Sequence, residues 1–295
     1  MSVLRGSKSH SLGDNAIPLR KRPLLWLNLV CLDAPLVALS WYLIFSYSFH
    51  TGVRSAEGAA LFLAAWGIYL VDRLVDSVSL PSGVERSVRA AFCLCHLRLW
   101  LVLIPLVGAL DGAITFGGLP RHLIWQGICL AAVASLYLVI NFAFSWVWRV
   151  VPLKELAIGF LFATGTVLAL VSRAPRQTWP FLLTAFLFGC VCSLNCMNIA
   201  VWERALDEKQ GKHSFATARA RAGLYVRAMS VAVCLACLAL GPVYREAWPI
   251  TACLAPSALL LLALSLVPTR RDERIALADI VLLTPLIFLI VQRLL

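Results

Sequence analysis

Two short acidic stretches carry the residues best suited to chemistry. The first is Asp72-Arg73-Leu74-Val75-Asp76 and the second is Glu203-Arg204-Ala205-Leu206-Asp207. Each sets two carboxylates four residues apart. On a helix that spacing puts both on one face, close enough to hold one divalent cation together. Tyr69 extends the first stripe by one turn. Asn195 and Asn198 precede the second inside an apolar run, where amide side chains are costly and face a cavity or a partner. They could bind metal or diphosphate oxygens. After the second pair comes Glu208-Lys209-Gln210-Gly211-Lys212-His213-Ser214, a polar loop with a glycine hinge whose lysines could neutralise phosphate. Lys154, in Pro152-Leu153-Lys154-Glu155, is a point charge able to close over a diphosphate. Each feature also has a plainer reading: solvated helix ends, a basic loop with no ligand, and a lysine anchored at lipid headgroups.

Asp33 stands apart, inside an apolar run and two residues before Pro35. An acid embedded in a membrane helix is a functional candidate. It could bind or deprotonate an acceptor, or it could stabilise a proline kink. Asn141 and Asp279 are weaker candidates of the same kind.

The elements that must position these residues are membrane helices. The chain is 61% hydrophobic and 14% charged, with a mean hydropathy of +0.84. A soluble protein of this length needs more polar surface. The patterning predicts an all-α polytopic bundle of about nine transmembrane helices around a central cavity. Spans are expected near 24–47, 58–71, 93–110, 123–147, 152–172, 179–200, 223–243, 248–267 and 276–292. Residues 1–23 read as a basic cytosolic tail and 24–295 as a single transmembrane domain. No helices broken at glycine or proline in matched halves are evident. The net charge of +11 is accounted for by anionic lipid headgroups and positive-inside loops rather than nucleic acid. Cys190, Cys192 and Cys196 look like a cluster, but neighbours two apart point to different sides of a helix. They are expected to be small packing residues.

Nine spans put the chain ends on opposite sides. With the N-terminus inside, 20 of the 26 Lys and Arg fall in inside segments. The other six are Arg54, Arg121, Arg173, Arg176, Arg245 and Arg293. This bias orients the bundle with both acidic stretches on the cytosolic side, where a diphosphate made in the cytosol reaches them. A multi-pass protein of a bacterial inner membrane is the expected location.

At these residues the chain resembles the UbiA superfamily of membrane prenyltransferases. That family's first motif reads roughly Asn-Asp-x-x-Asp-Arg-x-x-Asp. Here Ile68 and Tyr69 stand where its first two residues would be, and Asp72, Arg73 and Asp76 match the rest. The second motif, Asp-x-x-x-Asp followed by Gly and Ser, is matched by Glu203, Asp207, Gly211 and Ser214, with Glu for the first Asp. The family's earlier aspartate in that helix falls near Cys196, so Asn195 or Asn198 stands in its place. Lys154 looks like the lysine the family carries after its fourth helix. The resemblance implies Mg2+ held by Asp72, Asp76, Glu203 and Asp207, and a prenyl diphosphate gripped with the help of Arg73, Lys154 and Lys212. It also implies an allylic carbocation formed as the diphosphate leaves. Aromatic faces can stabilise that cation. Trp26, Trp41, Tyr42, Trp66, Tyr69, Tyr137, Trp146, Trp148 and Trp202 are the candidates. The implied activity is prenyl transfer to an aromatic or other lipophilic acceptor. Two other readings stand beside it: a terpene cyclase of the same superfamily, which ionises the same substrate and quenches the cation internally, and a non-enzymatic transporter or scaffold whose acids are ion-pair partners.

Overall fold

The computed structural model describes residues 23–294, apart from 82, 145, 151–152, 172 and 174–177. The basic tail expected at the start therefore lies almost wholly outside the described residues, as do Pro152 and the side chain of Arg149. Among the described residues the structure is helical, with no strand. The helices are α1 (Pro23–Leu29), α2 (Asp33–Ser48), α3 (Ser55–Val78), α4 (Val88–Cys95), α5 (Leu97–Gly118), α6 (Arg121–Ala143), α7 (Val147–Val150), α8 (Lys154–Val171), α9 (Thr178–Gln210), α10 (Phe215–Ala218), α11 (Ala222–Val243), α12 (Trp248–Leu266), α13 (Arg271–Val281) and α14 (Thr284–Leu294).

Seven of these, α3, α5, α6, α8, α9, α11 and α12, are long and apolar enough to cross a bilayer. The pair α13 and α14, bent by 45° at its break, makes an eighth if counted as one span. In lipid every backbone polar group must find a partner within the protein, and a helix does this along its own length. At 1.5 Å per residue the 24 residues of α3 rise about 36 Å, enough to cross the hydrocarbon core with a turn to spare. The 33 residues of α9 rise about 50 Å, so its last turns project beyond that core. Both acidic stretches are therefore helical: α3 continues through Asp76 to Val78, and α9 through Asp207 to Gln210.

The first expected span is not continuous. The helix stops at Leu29 and restarts at Asp33, with Cys31 at φ 58°, a left-handed conformation unusual for a residue with a β-carbon. Pro35 sits in the first turn of α2, where its missing N–H costs no helical bond. The last expected span breaks as well, between α13 and α14. Its freed carbonyls are taken up by other helices: Trp41 Nε1 donates to Leu282 O at 2.8 Å, and Ser257 Oγ donates to Val281 O at 3.1 Å. Asp33 and Pro35 offer a kink in the first span. The first and last spans are both interrupted, and packing partners meet the polar groups thus exposed.

The apolar core lies where α2, α8, α9 and α12 meet, around Trp41, Phe45, Phe188, Leu194 and Ile250. Trp41 stacks on Phe188 with ring centroids 4.5 Å apart. α8 and α9 approach so closely that a β-carbon on Gly159 would lie 2.4 Å from the Ser193 backbone nitrogen, and one on Gly189 would lie 2.6 Å from the Phe160 ring. By contrast α5 and α6 turn most of their large apolar side chains outward, Leu106, Phe116, Trp125 and Leu136 among them. All ten cysteines are free thiols.

Candidate active site

The ends of α3 and α9 and the start of α8 meet at one end of the bundle. Asp72 and Asp76 from α3, Glu203 and Asp207 from α9, Lys154 from α8 and Lys212 from the following loop all line one cavity of about 600 Å3. The helical period gathers each acidic pair on one face, and packing of α3, α8 and α9 then brings the pairs together. Arg73, Tyr69 and Asn195 line the same cavity.

Cations meet the carboxylates directly. Lys212 Nζ donates to Asp76 Oδ2 at 3.1 Å. Arg89 Nη2 donates to Glu203 Oε1 at 2.5 Å. The charges of Lys154 and Lys212 both reach Asp72, Asp76 and Asp207. Arg89 had no role in the sequence reading beyond its charge. It is placed by α4, a short helix capped by Ser87, whose side chain accepts from Ala90 N at 3.2 Å.

The loop between α3 and α4 is tied to the end of α9. Lys209 Nζ donates to Glu85 Oε2 at 2.8 Å, and Gln210 Nε2 donates to Glu85 O at 2.7 Å. The hydrogen bond and charge of Lys209 hold the exposed Glu85 carboxyl below its usual range. On the opposite side of α9, Glu155 at the start of α8 accepts from Phe215 N at 2.9 Å, fixing the loop that carries Lys212.

A second polar cluster forms where the two broken spans meet α9. Asn28 Nδ2 donates to Asp33 Oδ2 at 2.6 Å and to Asp279 Oδ2 at 2.9 Å. Asn195 Nδ2 donates to Asp279 Oδ1 at 2.8 Å. Asn195 and Asp279 both line the cavity, and Asp33 stands behind them. Asn195 thus gives its amide to this cluster. Asn198 donates to the Leu194 carbonyl at 3.0 Å within its own helix and does not line the cavity. Sequence reasoning passed over Asn28, although an amide inside an apolar run, five residues before Asp33, was a usable signal. Tyr69 has neighbours in both clusters: Asp72 in the first, and Asp33 and Asp279 in the second.

Away from the acids the cavity wall becomes apolar and finely graded, with Ala60, Ala64, Gly127, Ala131 and Gly165 leaving room between helices. Tyr137 and Phe162 also line it. Its wall reaches Glu57 in the first turn of α3. There Tyr42 Oη donates to Glu57 at 3.0 Å, and Arg173 forms an ion pair with the same carboxylate.

Four carboxylates are a donor set suited to a hard divalent cation. Among the described residues no three His, Cys, Asp or Glu side chains gather tightly enough to hold a metal ion by themselves. Mg2+ is commonly held by one or two carboxylates together with substrate phosphates, keeping several waters. Both carboxylate pairs line the same cavity, so they can share a cation only with ligands from outside the protein.

Comparison with known proteins returns no relative: no protein-family model, no curated protein and no solved structure matches the chain.

Proposed function

We propose that the protein is an intramembrane prenyltransferase of the UbiA type, moving a prenyl group from a prenyl diphosphate to an aromatic or other lipophilic acceptor. The observation that carries this reading is the convergence of both acidic pairs, Lys154 and Lys212 on one cavity whose remaining wall is largely apolar, with isolated polar groups such as Glu57, Asp111 and Asp279. That combination matches a ligand with a multiply charged head and a long hydrocarbon tail.

In this reading Asp72, Asp76, Glu203 and Asp207 hold Mg2+ together with the diphosphate. The bound ion would supply charge neutralisation to the departing group. Lys154 and Lys212 add fixed positive charge where negative charge develops, which favours the transition state over the ground state. Lys212 would exchange Asp76 for diphosphate oxygens, so the loop bearing it closes as the substrate binds. Tyr69 and Tyr137 offer ring faces to the carbocation. The apolar wall keeps water from it. If the interrupted α1–α2 stretch is taken as a ninth crossing beside the eight long apolar spans, the Lys/Arg bias puts the acidic end in the cytosol of, by expectation, a bacterial inner membrane.

Purified protein in lipid vesicles, given Mg2+ and labelled geranyl, farnesyl or geranylgeranyl diphosphate, should release diphosphate. A lipophilic acceptor should speed product formation. Release with a hydrocarbon product and no acceptor requirement would select the cyclase. Failure to release diphosphate at any chain length would overturn both enzyme readings.

A further inference from the structure

We propose that the cluster of Asn28, Asp33, Asp279 and Asn195 is a second reactive site on the cavity wall, where the hydroxyl of a lipophilic acceptor docks and gives up its proton. This rests on the transferase reading and names the acceptor chemistry that reading leaves open.

Asn28 links the two aspartates. Its amide nitrogen, Nδ2, donates to both carboxylates, and Asn195 Nδ2 donates to Asp279 as well. Asn28 is 3% exposed and Asp33 4%. Carboxylates held in this way are positioned as a base for a hydroxyl in the cavity. The charged groups facing them are cationic. They are Arg73 from α3 and Arg89 from α4. Cys31 lies at the first break, and Tyr69 and Cys196 face the pair from α3 and α9.

The cluster also has an unmet acceptor. Asn195 is 8% exposed, and its Oδ1 is buried with no hydrogen-bond partner. Native structures seldom leave such an atom unpaired. Asn195 and Asp279 line both the main cavity and a side cleft of about 30 Å3 bordered by Ala34, Tyr69 and Gly159. A hydroxyl placed here donates to Asn195 Oδ1 while its oxygen faces the main cavity. Tyr69 lines the cavity beside both this point and Asp72, so an acceptor oxygen docked here shares the cavity with the diphosphate.

The step then balances. The acceptor oxygen forms a bond to C1 of the prenyl chain. The bond from C1 to the bridging diphosphate oxygen breaks and its electron pair leaves with the diphosphate. The hydroxyl proton passes to a carboxylate oxygen of Asp279, which lines the cavity, and later to water.

The test uses the full chain in lipid vesicles with Mg2+, labelled geranylgeranyl diphosphate, and either a 4-alkylphenol or a long-chain alcohol as probe. Both diphosphate release and prenyl ether are measured. Asp279→Asn should lower ether formation at least tenfold while release, now ending in water, persists. Asp279→Glu should recover part of the ether, and Asp33→Asn should behave like Asp279→Asn. Thermal unfolding in detergent should confirm that the variants fold. Ether at the wild-type rate in both variants, or release and ether lost in equal proportion, overturns the proposal. Release by the wild type with no ether from either probe overturns this inference alone. No release from the wild type overturns the function itself.

Discussion

At the scale of single residues, the site is a balance of four carboxylates against nearby cations. Asp72 and Asp207 have the charges of Lys154 and Lys212 close by, while Asp76 and Glu203 are in direct ion pairs. Replacing Asp72 or Asp207 by Ala should lower diphosphate release by about 100-fold or more, the scale on which loss of one preorganised electrostatic group acts. Labelled-substrate turnover checks this. Glu85 gives a pH prediction. Its carboxyl is held below the usual range by Lys209, so the tether between the α3–α4 loop and α9 is present above the ordinary Glu pKa of about 4.3. It is lost as pH falls through the lowered value. Hydrogen exchange of the α3–α4 loop should therefore rise at acid pH, and Glu85→Gln should raise it at neutral pH with no further acid dependence. High salt should blunt the effect, since both side chains are exposed.

At the scale of elements, α3 is the measuring rod of the cavity. Twelve residues separate Glu57 from Tyr69, about 18 Å of helix. A prenyl repeat of four chain bonds advances about 4.5 Å when extended, so about four repeats fit beside it. Geranylgeranyl diphosphate should be preferred over geranyl diphosphate. Ala60→Trp, near the far end, should shift the preference to shorter chains while leaving release from geranyl diphosphate intact, as product chromatography will read. The α8–α9 contact makes a separate stability prediction. Gly159→Ala would set a β-carbon against the Ser193 backbone, and should cost about 1–3 kcal/mol as an overpacked contact, measured by unfolding in detergent. The acids of α3 and α9 were legible in the sequence because a spacing of four is fixed by the helix itself. Arg89 and the partners that meet the break in the last span were not, and Asn28 was a signal only as an amide in an apolar run. Their roles depend on which helices pack together, and hydrophobic runs look the same whether or not a neighbour such as Trp41 stands ready to donate to a freed carbonyl.

At the scale of the whole molecule, a helical multi-pass architecture was readable from hydropathy, because lipid leaves the backbone few alternatives. The convergence of the two acidic stretches was only suggested by loop charge. It became visible in the pairing of Lys212 with Asp76, which ties the loop after α9 to the end of α3, and of Arg89 with Glu203, which ties α4 to α9. The orientation remains to be measured. Single cysteines at Glu85 and Lys209, in a background with the native cysteines replaced, should be shielded from a membrane-impermeant thiol reagent in intact cells and labelled in inverted vesicles, and a cysteine at Arg121 should behave oppositely. A last consequence follows from the far end of the cavity. The cavity is lined from Glu57 to Asp76, beside most of α3, and the cluster of Glu57, Arg173 and Tyr42 stands at its far end. On the proposed function, that cluster would be what keeps ions from crossing an empty cavity. Removing it, by Glu57→Ala with Arg173→Ala, should let protons leak and depolarise energised vesicles.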